Sequence, residues 1–326
     1  MKSIFSFLLI FVLSFVVAQP MSDLHKTAKN LMIEGDYENA TLVFNKLLNN
    51  EPNNIAAHKD LAYLHYLKKE YSKSIEISKN FIDELTVEEK DYQILGLNYK
   101  AQGNNKECEK LYKSGLIKFP NSGVLYSDLA DLYLNEKKLS DAVKSWKKGI
   151  EVDANYPNNY YNAAMYHNSI GNYFWTIIYG EIFVNLESYT IRTAEVKSTV
   201  LDAYKKILYL GITNNNDFEK NVLNLLGSST ESLTAYRLSS IRTKFILNWY
   251  HNKNNEKYPF RLFDQQRFLI QEGMFDAYNQ WLFGIAVDPI QYKTWVDANL
   301  AEADNFKQFQ EGRVFKLITG QYYQTN

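Results

Sequence analysis

The chain has 326 residues, with 36 basic against 37 acidic side chains and a single cysteine, Cys108. That balance lacks the basic excess of a general nucleic-acid binder, and a lone cysteine excludes an internal disulfide. With only 14 glycines and 6 prolines, the composition argues against a turn-rich all-β fold, while 25 Tyr, 19 Phe and 5 Trp supply large ring faces that must be buried or used for contact.

The first element is the opening "MKSIFSFLLIFVLSFVVAQP". Lys2 precedes an apolar run from Ile4 to Val17, and Val16-Val17-Ala18 places small residues before a break. That order reads as a secretory signal peptide over residues 1–18. An uncleaved anchor is the alternative, since the run approaches the lower limit of about 17 residues for a spanning helix. Nothing later is apolar for long enough to span, so no stable membrane insertion is expected after cleavage. The expected destination is the periplasm, with secretion as the other outcome.

Next comes a recurrence. The small residues Ala40, Ser74, Cys108 and Ala142 are spaced 34 apart, and Thr176 follows at the same interval. Around them the third unit carries Tyr92, Leu95-Gly96, Tyr99, Gly103, Cys108, Tyr112 and Pro120. The fourth carries Tyr126, Leu129-Ala130, Tyr133, Ala142, Trp146 and Gly149. The first has Ala28, Leu31, Gly35, Tyr37, Ala40, Phe44 and Pro52, and the second Leu61-Ala62, His65, Tyr71, Ser74 and Phe81. In the fifth, Tyr160, Ala163-Ala164, His167, Gly171 and Tyr173 fit, but Gly180 stands where an aromatic is expected.

Residues 19–188 therefore resemble the tetratricopeptide repeat family, whose period is about 34. The resemblance implies an all-α, right-handed superhelical solenoid of antiparallel helix pairs. The physical reason for the pattern is close helix crossing: one small residue on each helix admits its neighbour, and aromatics fill the space between layers. No unit buries its apolar face alone, so neighbours must stack.

After Glu187 the period is lost, and residues 189–326 read as an aromatic-rich helical C-terminal domain. A helix carries Ile191, Ala194, Leu201, Tyr204 and Leu208 on one side, and a Ser/Thr-capped helix carries Leu238, Ile241, Phe245 and Trp249. A pair of helices broken at Gly273 is expected to put Tyr278, Trp281, Leu282 and Ile285 on one face. The remainder is expected to be helical to an exposed polar end.

Chemistry-bearing motifs are sparse. His58 and His65 lie seven apart at repeat positions used for packing, with no HExxH and no cysteine pair, so neither a metal nor a cofactor is expected. Cys108 occupies a small packing position. Asp276, Asp288, Asp297, Glu302 and Asp304 could pair for acid/base work but read as a solvated face, and Arg192 with Glu195 reads as a pair along one helix. The aromatic cluster Trp249, Tyr250, Phe260, Phe263, Tyr278, Trp281, Tyr292 and Trp295 reads as core by its helical spacing, with a sugar or peptide platform as the other reading.

The family resemblance also implies a concave groove lined by the first helix of each pair. Its positions here are Lys29, Lys59, Tyr63, Tyr66, Lys90, Gln93 and Lys100, then Asp131, Asn135 and Tyr161. Among the first seven of these, four lysines with two tyrosines suit a protein or peptide partner bearing acidic groups or a free carboxylate. The family's carboxylate clamp is not reproduced, because Tyr63 and Leu97 stand where polar groups are needed. The function expected is an exported, non-catalytic scaffold in the cell envelope that binds no nucleic acid. The alternative is a glycan-acting envelope enzyme with its site in the C-terminal half.

Overall fold

The structure is a computed structural model describing residues 21–210, 216–312 and 315–318, so the signal-peptide reading of residues 1–18 lies outside the described residues. Among the described residues every regular element is helical. Ten helices run in pairs through the repeats: α1 (Met21–Glu34), α2 (Tyr37–Asn50), α3 (Ile55–Leu67), α4 (Tyr71–Lys79), α5 (Glu89–Ala101), α6 (Asn105–Lys118), α7 (Gly123–Asn135), α8 (Leu139–Val152), α9 (Pro157–Ser169) and α10 (Tyr173–Leu186).

The turn inside each pair is the same. Gly35, Lys69, Gly103, Lys137 and Gly171 succeed one another at 34-residue intervals, and all have φ between +59° and +83°. The next residue's amide reaches back to close the first helix, as in Asp36 N–H to Leu31 O at 2.9 Å and Lys138 N–H to Tyr133 O at 2.8 Å. This bonding satisfies carbonyls that a helix end leaves orphaned, and the left-handed residue makes it possible.

The small residues do what their spacing predicts. Ala28 and Ala40, Ala130 and Ala142, and Ala164 and Thr176 are all fully buried. The Ser74 hydroxyl donates to the Ala62 carbonyl at 2.7 Å, and the Cys108 thiol approaches the Gly96 carbonyl at 3.5 Å. In each case a second-helix side chain touches first-helix backbone, which a larger residue would prevent.

Two compact units make up the chain, one ending at Cys108 and the other beginning at Glu109. The first is built on Leu24, Ala28, Ala40, Phe44, Leu47, Ala57, Leu61 and Leu64. The second has a continuous core from Ile150 to Leu317, to which helices on both sides of residue 188 contribute. Gly180, out of pattern in the sequence, explains the continuity. A Cβ there would lie 2.5 Å from Val200 Cγ2 and 3.2 Å from Val196 Cγ1, so its absence lets α11 (Ile191–Leu210) close onto α10. Helix α11 also packs on α9, the position of a further first helix.

Beyond α11, the second unit contains α12 (Asp217–Leu226), α13 (Ala235–His251), the short α14 (Asn254–Lys257) and α15 (Arg261–Gln271). Then come α16 (Phe275–Asn279), a π turn over Gln280–Gly284, α17 (Ile285–Val287), α18 (Pro289–Ala298) and α19 (Leu300–Gly312). Thr234 caps α13, which buries Leu238, Phe245 and Trp249 as expected. Two expectations are corrected. The wider π turn rotates the residues after it about the helix axis, so Ile285 does not share the face of Tyr278 and Leu282 but is 62% exposed. The chain's last described stretch, residues 315–318, is neither helical nor wholly exposed. Phe315 and Leu317 are buried, and Asn155 holds Leu317 by both its amide (2.8 Å) and its carbonyl (3.0 Å).

Candidate functional site

In the first unit, α1, α3 and α5 carry the implied groove residues at helical spacing. Most of the charge there is already partnered. Lys59 Nζ lies 2.6 Å from Asp91, which is buried, and donates to the Thr86 carbonyl at 2.7 Å. Lys29 lies 3.6 Å from Asp60, whose carboxylate also meets His25 at 2.8 Å. The acids Asp60 and Asp91 were missed because they sit beside the groove positions in the sequence, and nothing local ties them to lysines on other helices. Lys90 differs: it is exposed, and its ammonium stands 5.4 Å over the ring of Tyr63. Tyr63 stacks on Tyr66 with centroids 6.2 Å apart and planes 18° from parallel, and Tyr66 meets Tyr71 at 6.2 Å. All three rings are half-buried. Gln93 and Lys100 lie further along α5, both half-buried.

In the second unit the corresponding face is made by α7, α9 and α11. Asp131 accepts from the Asn162 amide at 2.9 Å, and Asn135 is exposed. The Tyr161 hydroxyl donates to Glu195 at 3.1 Å, and Arg192 lies 5.0 Å over the Tyr161 ring while donating to Asn158 at 2.9 Å. Both hydrogen bonds join residues 34 apart, so the repeat offset survives into α11. Arg192 and Glu195 do not pair with each other. Arg192 takes Glu187 through two nitrogens, at 2.6 and 3.1 Å. Burial, then the charges of Asp128 and Asp131, push the Tyr156 phenol on this face up to about 12. This face therefore carries carboxylates, amides, hydroxyls and the Arg192 guanidinium where the first unit carries lysines.

The C-terminal helices surround an ion pair that the sequence did not mark. Glu181 and Arg242, each 1% exposed, bond to one another. Glu181 also accepts from Gln266 (2.7 Å) and from the Tyr278 hydroxyl (2.8 Å), while Arg242 donates to Asn279. Tyr204, Phe275, Tyr278 and Phe283 ring the guanidinium at 5.2–5.6 Å. A charge so enclosed is tolerable only when paired and hydrogen-bonded, and here both conditions are met.

The aromatic cluster divides. Trp249, Phe260, Phe263 and Tyr278 are core, and the half-buried Tyr250 bonds Asp264. Trp281, Tyr292 and Trp295 instead line cavities of about 370, 290 and 320 Å³. Lys197, 34 residues beyond Ala163 and so in a packing register, lies 3.6 Å over the Trp281 ring and donates to its carbonyl at 2.8 Å. Burial pushes this amine down to about 7.

Most of the carboxylates considered for acid/base work have structural partners. Asp276 accepts from Ser239, Glu302 from the Ala277 amide at 3.0 Å, Asp288 caps α18, and Asp297 meets Lys293 at 2.7 Å. His58 contacts the Pro52 carbonyl at 2.7 Å and His65 contacts Glu70 at 2.6 Å. Among the described residues no group of three or more potential ligands could hold a metal ion, and no helix is long and apolar enough to cross a membrane.

No family model matches the chain, and no curated protein matches it. Among solved structures it is similar to a tetratricopeptide protein of Parabacteroides merdae, with 16% identity, TM-score 0.45, and 85% of this chain and 97% of that one covered. It is also similar to PilF of Pseudomonas aeruginosa (17% identity, TM-score 0.46, 59% and 93% covered). A third is a thermophilic tetratricopeptide protein of Thermus thermophilus (15% identity, TM-score 0.45, 56% and 100% covered). These likenesses are distant, and the assignment stands on the chain's own geometry. With helix hairpins at a 34-residue period, five identical left-handed turns and buried small residues at each crossing, α1–α10 are tetratricopeptide repeats.

Proposed function

We propose that the chain is an exported scaffold of the cell envelope that holds a protein or peptide along the first-helix face of its repeats. Binding, not turnover, is its activity. One observation carries the reading: two half-buried tyrosine rings are stacked on α3 with the Lys90 ammonium over one of them. Flat rings beside a cation on rigid helices suit an extended peptide, which lays its backbone across the rings and offers an acidic group to the lysine. Lys59 is committed to Asp91, so recognition of an acidic group or free carboxylate falls to Lys90 and Lys100. The apolar run from Ile4 to Val17 supports export, with the periplasm as the proposed destination.

The test places a photo-crosslinking amino acid at Tyr66 in living cells and identifies captured chains by mass spectrometry. One or a few discrete partners are expected, and Tyr63→Ala with Lys90→Glu should abolish their capture. Lys59 is left intact, because its removal would leave Asp91 buried and unpaired. Equal capture by the double variant removes the groove assignment.

A further inference from the structure

Two of the C-terminal cavities, of about 370 and 290 Å³, share Gln280, Tyr292 and Trp295 as a common wall. Tyr292 and Trp295 stand one turn apart on α18, a helix that buries none of its own residues. Trp295 is half-buried and, among the described residues, has no ring packed against it. Trp281 makes the contrast clear, since Lys197 lies 3.6 Å over its ring and Tyr278 stacks on it at 5.7 Å. Of the pair, Trp295 is the one with no ring or cation over its indole among the described residues, while it packs against the core as a half-buried side chain.

Polar groups complete the lining. Gln280 opens the π turn and is 8% exposed; such turns recur at functional sites because they re-aim side chains. Gln310, 5% exposed, lines the smaller cavity. Its amide nitrogen donates to Ser188 at 3.1 Å, but among the described residues its carbonyl oxygen has no hydrogen-bond partner. A buried acceptor left unmade is costly, and a ligand bearing a hydrogen-bond donor would satisfy it. Asp304 and Glu311 add two carboxylates at the same cavity against the single ammonium of Lys307.

The lining therefore offers an aromatic face and a surplus of acceptors. An anionic ligand meets two carboxylates, and a purely aromatic one leaves the Gln310 carbonyl unsatisfied. A sugar ring meets both demands, since its C–H face lies on an indole while its hydroxyls donate around the rim. The volumes fall near the lower end of small-molecule sites, about 300–1,000 Å³, which leaves room for a ring in each of the two cavities that Trp295 lines. We propose that the paired cavities flanking Trp295 are a carbohydrate-binding site for a short neutral oligosaccharide of two or three rings. This site shares no residue with the first-helix face of α1, α3 and α5, so the two readings stand or fall separately.

The test titrates the purified full chain with a panel of neutral trisaccharides built from glucose, mannose, galactose, xylose and N-acetylhexosamine. Binding is followed by calorimetry and tryptophan emission. Saturable one-site binding to at least one member is expected, weakened tenfold or more by Trp295→Ala and severalfold by Gln310→Met. Tyr63→Ala should leave it unchanged. Trp295 is only half-buried, so Trp295→Ala should keep the parent circular dichroism; if it does not, Trp295→Leu, which keeps an apolar contact with the core, is used in its place. The proposal is overturned if no member binds, if affinity is unaffected by the Trp295 and Gln310 substitutions, or if a tryptophan-containing peptide binds there and no saccharide displaces it.

Discussion

In the unit ending at Cys108, the close crossings within each helix pair are made by small, neutral groups: Ser74 on the Ala62 carbonyl, Cys108 on the Gly96 carbonyl, and the buried Ala28 and Ala40, while the Lys59–Asp91 pair links α3 to α5. The unit beginning at Glu109 starts the same way with Ala130 and Ala142, then turns to a different device. There Glu181 and Arg242, 61 residues apart, meet inside a cage of rings with Gln266, Asn279 and Tyr278 completing their hydrogen bonds. A repeat built on small residues tolerates local change, because each crossing is settled by residues 12 apart. A single enclosed ion pair requires α10, α13, α15 and α16 all to be in place at once. Periodicity secures the repeats, whereas the aperiodic helices are joined by long-range polar contacts, with the Glu181–Arg242 pair the most deeply enclosed ion pair among the described residues.

The largest expected effect breaks that pair. Arg242→Ala leaves Glu181 buried and unpaired and should cost about 3–5 kcal/mol. All five tryptophans, at 146, 175, 249, 281 and 295, lie in the second unit, so urea unfolding followed by tryptophan emission reports on it directly. Replacing both partners, with Arg242→Met and Glu181→Leu, should recover most of the loss, since the charges then vanish together. A cost under about 1 kcal/mol for Arg242→Ala would show that the two regions are held in the same way.

A second contrast is written in one repeat position. His65 and His167 are separated by three repeat periods. The Nδ1 of His65 meets Glu70 at 2.6 Å, whereas that of His167 has no hydrogen-bond partner among the described residues and the ring packs against Tyr166 and Tyr179. Burial, helped by the nearby Lys147 charge, pushes His167 down to about 4. The unfolded chain, with its histidine near about 6.5, then binds the proton more readily between those two values. Stability should be flat above the upper value and fall by about 3 kcal/mol as pH drops to the lower one. His167→Phe should flatten that slope in the same tryptophan-detected unfolding, and an unchanged slope would assign it elsewhere.

Much of the repeat architecture was legible because the signal is local and recurs: a small residue every 34 positions needs no knowledge of distant partners. The implied groove was legible only as positions. Lys59 and Lys90 looked alike in the sequence, yet one is bound to Asp91 and the other lies over Tyr63. Helical spacing placed Trp249 and Phe263 in the core but could not separate Trp295 from them, because whether a stripe is covered depends on what packs against it. Glu181 and Arg242 carry no mark at all, since partners so far apart leave no pattern in either neighbourhood. Ile285 was misplaced because a π turn changes the phase of a helix without a distinctive residue to announce it.

Within the periodic region, Ala142→Leu tests the register itself. Ala142 is fully buried at the crossing of α7 and α8, so a larger side chain should overpack it by about 1–3 kcal/mol. A neutral result would mean that the crossing lies elsewhere.

The smallest effect runs the other way. Five turns share one left-handed backbone, but two use lysine, Lys69 at φ 59° and Lys137 at φ 61°, where the others use glycine. A Cβ crowds the neighbouring carbonyl in this conformation, at a cost of roughly 1 kcal/mol, while glycine has no such penalty. The mutation also gives the unfolded chain more freedom, which offsets part of the gain. Lys137→Gly should therefore stabilise the second unit by at most about 0.5 kcal/mol. Lys138, the next residue, still closes α7 through its own amide, so the closing bond is preserved in the variant. Tryptophan-detected unfolding should show the midpoint rising with an unchanged denaturant slope. If the midpoint falls instead, the Lys137 side chain supports the turn in a way its backbone geometry does not explain, and the equivalence of the five turns fails at that repeat.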